Sequence, residues 1–473
     1  MYKAVIGLEI HCELKSISKN FSGAENKYSL IPNINISPID IGYPGILPVV
    51  NKFATKQALK TALALNCEIP KYLSFERKNY FYPDLPKGYQ ITQMYHPIGI
   101  NGYLMVNING KDKKILIHDT HLEEDTAALE HFQDYSLLDY NRCGVPLLET
   151  VTEPCLNSAD EAIAFLEAYR NLLLYCDVSE ARADRGQIRC DVNVSLMKEN
   201  DTELGTRVEM KNINSFIKVR SAIECEIKRQ TEILNNGGKV EQETRRYDAE
   251  NNCTYLMRKK EDAIDYKYFT EPNLPPIPLT EDFIKEIKQE IPKLQYERLN
   301  TYIKEYKLQE KDANTLARNK ELSDFYEETV SLGANPIDTS NYLTGQIIAY
   351  LNKDEISIKD ISLTPKMLSE LLNMLSKEKI SSKQTKDILN KALEEDEDPI
   401  KLISDLGLSQ ITDLDTIKEI INNVLEENPN LVTDYKNGKK VFGFIIGQIM
   451  KKSEGKANPK LANDILLEIL NNK

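Results

Sequence analysis

The segment at residues 5–14, VIGLEIHCEL, sets Glu9, His11 and Glu13 on one side of a period-2 pattern and Ile6, Leu8, Ile10, Cys12 and Leu14 on the other. A strand that buries its apolar face and gathers carboxylates and an imidazole on the opposite one is a platform for a metal ion or a phosphoryl group. Three further segments offer similar chemistry. In KKILIHDTHLEED (113–125), Ile115 and Ile117 alternate ahead of His121, Glu123, Glu124 and Asp125. Three acids in succession concentrate like charge unless a cation or a solvated turn relieves it, and taken alone the run reads as a solvated turn. In IRCDVNVSL (188–196), Val192 and Val194 are expected to face a core while Asp191, Asn193 and Ser195 point away, an oxygen-rich row suited to a hard cation. In TRVEMKNINS (206–215), Arg207, Glu209 and Lys211 share one face and Val208 and Met210 the other. The connection of roughly ten residues between these last two segments allows antiparallel pairing, which would set Asp191 and Glu209 close together.

Several carboxylates with one or two imidazoles and basic side chains suit magnesium-bound phosphate better than zinc, which favours cysteine and histidine. Phosphoryl transfer is the chemistry that follows, with metal ions bridging phosphate oxygens and Lys or Arg stabilising developing charge. A salt-bridged, exposed sheet face would use the same residues, and both readings stand at this point. No GxxxxGK[ST] loop is present, so any nucleotide site is not of the Walker type. In ERKNYFYPDLPKGYQITQ (76–93), Tyr80, Phe81, Tyr82 and Tyr89 interleave with Arg77, Lys78, Lys87 and Gln90, a composition suited to stacking on a base and contacting phosphate, though tyrosines are also ordinary sheet residues. From Lys436 to Lys460 seven lysines accompany one acid, Glu454, a local charge of +6 in a chain of −13. Such a patch is what a phosphate backbone would seek.

These residues need elements to position them. At 473 residues, 41% apolar and 28% charged, the chain is expected to form two to three globular domains. The excess of acid argues against a surface generally attracted to nucleic acid, and leaves room for a local basic patch. The eight cysteines are scattered with no CxxC pair, which reads as reduced thiols in a cytoplasmic protein and gives no visible zinc site. The longest apolar stretch, near 441–450, is too short to span a bilayer, so no membrane role is expected. Residues 1–292 mix short strands, turn signals and a few helices, an α+β pattern. Ser158 with Glu161 predicts a helix start, and a helix from about Phe216 should stop at Gly237 and Gly238. The proline-rich EPNLPPIPLT (271–280) reads as an extended bridge. Beyond it, Lys, Leu and Glu at helical spacing predict all-helical domains, 293–402 and 403–473, divided just after the acidic run 394–398. Thr364 and Pro365 are the expected start of one helix, with Leu368, Leu371, Leu372 and Leu375 as its buried stripe.

Taken together, VIGLEIHCEL, GYPGILPVVN (42–51), RKNYFYPDLPKGYQITQ, HLEED, RCDVNVS, EMKNINSF, ETRRYD (243–248), DYKYFTEPNLPP (265–276) and GQIMKKSEGKANP (447–459) resemble, in order and across essentially the whole chain, the signature blocks of the B subunits of the glutamyl/aspartyl-tRNA amidotransferases. The resemblance implies a cytoplasmic ligase that uses ATP and Mg2+ to phosphorylate the side-chain carboxylate of Glu-tRNA(Gln) or Asp-tRNA(Asn). The acyl phosphate is then aminated with ammonia from a partner, the amidase (A) subunit, and a small (C) subunit completes a heterotrimer. It implies an antiparallel-sheet catalytic domain resembling the glutamine synthetase fold, followed by helical domains whose tail, at Lys436–Lys460, contacts tRNA. By position Glu9, His11, Glu123, Glu124, Asp191 and Glu209 match the metal set; Glu9, His11, Glu124 and Glu209 are also the expected catalytic residues. Asn193 is expected to support them, and Lys78, Tyr80, Tyr82 and Lys211 to contact the nucleotide or aminoacyl end. Many members carry a four-cysteine zinc knuckle; the matching positions here are Ser22, Ala24, Ser37 and Asp40, so no zinc is expected. Asp125-Thr126-Ala127-Ala128 and Ala183-Asp184-Arg185-Gly186 also depart from the usual Asp-x-Gly-Lys and Met-Glu-Glu-Gly. These departures keep a second reading open, a non-catalytic component for tRNA binding or assembly. A third, a metal-dependent phosphohydrolase, would have no use for the basic tail.

Overall fold

The computed structural model describes residues 2–108, 110–213, 215–259, 265–406, 413–436, 439–453 and 457–472, without the side chains of Asn212 and Asn472. It comprises two compact units, Met1–Tyr296 and Glu297–Lys473. The first is built on strands β1 (Tyr2–Glu13), β2 (Tyr72–Leu73), β3 (Glu76–Asn79), β4 (Tyr89–Thr92), β5 (Gly99–Ile108), β6 (Lys111–Glu124), β7 (Ala128–His131), β8 (Ser136–Asp139), β9 (Pro146–Thr152), β10 (Ile188–Lys198), β11 (Val208–Ile213), β12 (Glu243–Asp248) and β13 (Cys253–Lys259). Its longer helices are α1 (Lys52–Ala64), α2 (Ala159–Tyr175) and α3 (Phe216–Asn235), with a shorter one at Glu281–Gln289. Eight strands form one sheet in the order β13-β12-β11-β10-β1-β9-β6-β5. Every pair in it is antiparallel except β11–β12, so the sheet is mixed rather than purely antiparallel, and the unit is α+β.

The two faces of this sheet differ because the strands alternate. Ile6, Leu8, Ile10 and Cys12 of β1, Leu122 of β6, Leu148 of β9 and Val192 and Val194 of β10 are buried in one core with Phe165, Leu166 and Tyr169 of α2 and Ala222 and Ile223 of α3. Gly99 and Gly102 let the turn after α1 lie directly on β5; a Cβ at Gly102 would stand 2.4 Å from Cys67 Sγ. Ser158 caps α2 by accepting from the Glu161 N–H, while Glu161 reaches back to Asn157 N–H rather than to the cap residue itself. The opposite face carries the polar set and meets a smaller sheet in which β3 lies between β4 and Phe269–Thr270.

The proline-rich stretch is extended but is no free bridge. Glu271 is buried and takes two bonds from Arg77, at 2.5 and 3.0 Å, and Ile277–Pro278 pairs with β2. The stretch therefore closes the first unit. Near the chain start, Lys19 is fully buried and its ammonium donates to Asp40 at 3.2 Å and to the Tyr140 carbonyl.

Every named element among the described residues of the second unit is a helix. One apolar cluster gathers residues from Leu299 to Ile403, including Leu368, Leu371 and Leu372 of the helix Pro365–Ser376, which Thr364 caps with Pro365 in its first turn. A second gathers residues from Ile417 to Leu470. Among the described residues no helix is long and apolar enough to cross a membrane.

Candidate active site

The antiparallel register sets four titratable side chains in a row across four adjacent strands. Arg189 of β10 stands opposite His11 of β1, His11 opposite Glu149 of β9, and Glu149 opposite His121 of β6. Glu149 Oε2 lies 3.2 Å from His11 Nε2 and 3.2 Å from His121 Nε2, so one buried carboxylate oxygen serves two imidazoles. His11 Nε2 is also 3.8 Å from Glu9 and 3.9 Å from Glu123, and His121 Nδ1 is 3.1 Å from Asp119. One row along, Glu9 stands opposite Asp191. Lys211 of β11 bridges Asp191 and Glu209 at 3.0 Å each, so β10 and β11 do bring these two acids to one ammonium.

Burial sharpens the electrostatics. Glu149 stays ionised far below the usual range: burial works against its charge, and the two imidazoles overcome it. Burial likewise opposes protonation of His11, but the Glu149 carboxylate wins and raises its pKa to about 9. The balance for His121 is the same, with Asp119 adding to Glu149. Glu9 is pushed up to about 7 by burial and then by Glu149, and Glu123 is pushed up by the same two causes. A group of carboxylates held this close, two of them resisting ionisation, is deficient in positive charge.

The acidic run 123–125 is not a solvated turn, because all three side chains are buried. Glu123 accepts from Thr92 and faces His11, and Glu124, on the alternate side of the strand, forms an ion pair with Lys87 and accepts the Ile91 N–H at 3.0 Å. Asp125 receives Arg189 at 2.8 Å and Arg142 at 3.3 Å, and the two guanidiniums hold its pKa low against burial. Each acid thus has its own cation or donor.

A cleft of about 540 Å³ opens over this face. Of the residues expected from sequence, Glu9, His11, Lys78, Tyr80, Glu123, Asp191 and Lys211 line it, whereas Glu124, Glu209 and Tyr82 do not. Glu209 supports the wall through Lys211 and accepts from Thr244, and Tyr82 is exposed at the surface. Asn193, one place beyond the cleft wall, stands opposite Glu209. The lining also includes Asp125, the last acid of the run 123–125, and Glu149, Arg189, Arg142 and Asp84, which the motifs did not single out. The local signals for Glu149 and Arg189 are slight: Glu149 is the lone carboxylate in the apolar run PLLETVT, and Arg189 shares parity with Asp191 and Asn193. Asp84 Oδ1 is buried in the wall without a hydrogen-bond partner among the described residues. Of the divergent positions, Ala127 is buried with its N–H on the Asp84 carbonyl, and Arg185 stacks over Tyr28 in an exposed turn. Neither they nor Ala128 line the cleft.

The donor set fits a hard divalent cation. Glu9, His11 and Glu149 place ligand atoms within 4.8 Å of one another, as do His121, Glu123 and Glu149. Carboxylate oxygens dominate, and Lys78, Lys211 and Arg189 around them suit the oxygens of a phosphoryl group.

In the second unit, three of the six described lysines of 436–460 pair with acids. Lys439 pairs with Asp434 at 2.8 Å, Lys452 with Glu427 and Lys460 with Glu378 at 3.4 Å. Lys440 and Lys451 are exposed, and Glu454 and Lys456 lie outside the described residues.

Comparison with known sequences gives this cleft a class. The GatB/GatE catalytic domain family matches residues 4–285, and a family described as the GatB domain matches 324–470. These matches make the chain an amidotransferase component, part of an enzyme of the carbon–nitrogen ligase type. The chain belongs to the family of aspartyl/glutamyl-tRNA(Asn/Gln) amidotransferase B subunits: it is 46% identical to the one from Oceanobacillus iheyensis over all of both chains. The Bacillus licheniformis and Geobacillus thermodenitrificans B subunits are 45% and 44% identical, again over the full length of both chains.

Proposed function

We propose that the cleft phosphorylates the side-chain carboxylate of Glu-tRNA(Gln) or Asp-tRNA(Asn) with ATP and passes the acyl phosphate to ammonia. A carboxylate is a poor acyl group toward ammonia because oxide is a poor leaving group. In the first step a carboxylate oxygen bonds to the γ-phosphorus, the β–γ bridging P–O bond breaks and ADP leaves. In the second, ammonia nitrogen attacks the acyl carbon, the C–O bond to phosphate breaks, phosphate departs and the nitrogen gives up a proton. Glu9, His11, Glu123, Glu149 and Asp191 would hold Mg2+, with Glu209 and Glu124 supporting the walls through Lys211 and Lys87. When bound, Mg2+ neutralises triphosphate charge so that an anionic carboxylate can approach. Lys78 and Lys211 orient phosphoryl oxygens, and Tyr80 lies beside Lys78 for the nucleotide or aminoacyl end. Arg189 and Arg142 fix Asp125 at the cleft wall.

The observation that carries this reading is the buried row His11–Glu149–His121 with Glu9 and Glu123 around it. A surface salt-bridge network would not bury Glu123 and Glu149 and largely cover His11 and His121 beside a cleft. The relatives are named as B subunits, which supports assembly with an amidase (A) subunit that supplies ammonia and a small (C) subunit. The lysine-bearing tail supports contact with tRNA, and eight free thiols fit the reducing cytoplasm. We divide the chain functionally into the cradle at 1–292, a helical domain at 293–402 and a tRNA-binding tail at 403–473. The test is the assembled complex with misacylated tRNA: ATP-dependent, Mg2+-dependent formation of the amide is expected, and binding of tRNA without any ATP consumption would refute catalysis in favour of an assembly role.

A further inference from the structure

The face that carries the cleft does not end at Lys211. It continues across β11 and β12 to β13, the edge strand of the sheet among the described residues, and its chemistry changes sign on the way. The register sets Asn193, Glu209, Thr244 and Arg258 in one row. Thr244 donates to Glu209 at 3.0 Å, and Arg258 Nε points at the same Thr244 hydroxyl. Two residues further along each strand, on the same side and just past the registered pair Met210–Arg245, come Lys211 and Arg246, and Arg246 stands opposite Tyr255 of β13.

Two adjacent arginines in ETRRYD have opposite roles because strand side chains alternate. Arg245 is buried on the helix side, where it donates to Glu243 at 2.6 Å, to the Thr254 hydroxyl at 2.9 Å and to the Thr254 carbonyl at 2.6 Å, beside Glu226 of α3. That network fixes β12 against β13 and sends Arg246 to the cleft side, where it is exposed. Arg258 is exposed, and Tyr255 is 45% exposed. Asp248, the acid next along β12 on that side, is engaged by the Glu250 N–H and the Asn251 amide.

We infer that this edge of the sheet, Arg246, Arg258 and Tyr255, is the platform for the single-stranded 3′ end of the RNA that delivers the aminoacyl group to the cleft. Three observations favour a nucleic acid. Two exposed guanidiniums and an aromatic face stand together in a chain of net charge −13. Arginine binds phosphate in a fork, and an aromatic ring stacks on any base. The patch is also continuous with the cleft through Lys211, so a strand lying on it points its terminus at the acids. The inference rests on the aminoacyl-RNA reading above and adds the surface that orients it.

The test uses the full-length chain and an uncharged acceptor-stem minihelix with a single-stranded 3′ end, titrated by fluorescence at several KCl concentrations. Arg246→Ala and Arg258→Ala are each expected to weaken binding about tenfold and to reduce the salt slope by about one. Tyr255→Ala should weaken it about fivefold or more, while Tyr255→Phe retains wild-type affinity because the ring is kept. Minihelix affinity unchanged in the Arg246→Ala/Arg258→Ala double variant overturns the inference, as does an equal loss in Tyr255→Phe and Tyr255→Ala. The conservative Arg246→Lys/Arg258→Lys variant, expected to keep most of the salt slope, separates lost contact from misfolding. Because this binding needs neither ATP nor amidation, it can succeed where the catalytic reading fails, and the reverse.

Discussion

The acid–imidazole row of the first unit and the lysine segment of the second are both concentrations of charge, and they are built in opposite ways. In the row, charges are buried and share partners: Glu149 holds two imidazoles, and Asp125 holds two guanidiniums. In the lysine segment each pair is separate and solvated; Lys452 and Glu427 are 34% and 63% exposed. Removing one member of a buried set strands its partners in low dielectric, whereas removing one member of a surface pair releases a side chain into water. Charge that is costly to place is therefore concentrated where the chemistry is proposed, and inexpensive charge where a polyanion would be met.

The largest effect should follow from the centre of the row. Glu149→Gln is expected to lower Mg2+-dependent ATP consumption by about a hundredfold or more, read by steady-state kinetics with the assembled complex. A loss of only a few-fold would make the row structural. Next comes Asp125→Asn, which leaves Arg189 and Arg142 without their shared carboxylate and should cost about 3 kcal/mol or more, read as the urea midpoint. The same variant has a pH signature. The folded pKa of Asp125 is depressed, so its contribution is present above the unfolded value near 4 and is lost as pH falls through the lower folded value. The acid limb of the stability profile should flatten in Asp125→Asn, and an unchanged limb would show that the pair contributes nothing there.

Smaller effects belong to the helical unit. Lys440→Glu with Lys451→Glu should weaken tRNA binding and reduce its salt slope by about one per lysine while turnover of saturating substrate stays near normal. Unchanged affinity would remove the segment from the interface. Lys452→Ala should shift stability by no more than about 1 kcal/mol in chemical denaturation. A larger shift would place that pair in the same energetic class as the buried row and erase the contrast.

Much of the site was legible because strand parity is a strong constraint. Glu9 and His11, Asp191 and Asn193, and Glu209 and Lys211 could be assigned to a face from alternation alone, and the β10–β11 pairing follows from the short connection. Parity also separates Glu123 from Glu124, which the acidic run by itself did not; adjacent strand residues point to opposite sides, and only Glu123 lines the cleft. Glu149 and Arg189 escape notice in the sequence because neither sits in an obvious cluster. Their importance comes from register with β1, a long-range pairing that local sequence does not encode. The proline-rich stretch looked like a linker because proline content reports extension and not attachment; Glu271 gripping Arg77 is what seats it. The net charge of 436–460 likewise overstated the basic patch, since its neutralising acids lie up to 82 residues away in sequence.

If the buried row is where ATP is consumed on an aminoacyl-RNA, a single neutralised carboxylate in it should separate catalysis from binding. That is read most directly as tRNA-stimulated ATP consumption by the assembled complex carrying Glu9→Gln, beside an RNA-binding titration of the same preparation. ATP consumption and amide formation should be abolished while RNA affinity is retained. Amide formation at the wild-type rate in that variant, with ATP still required, would contradict a catalytic row.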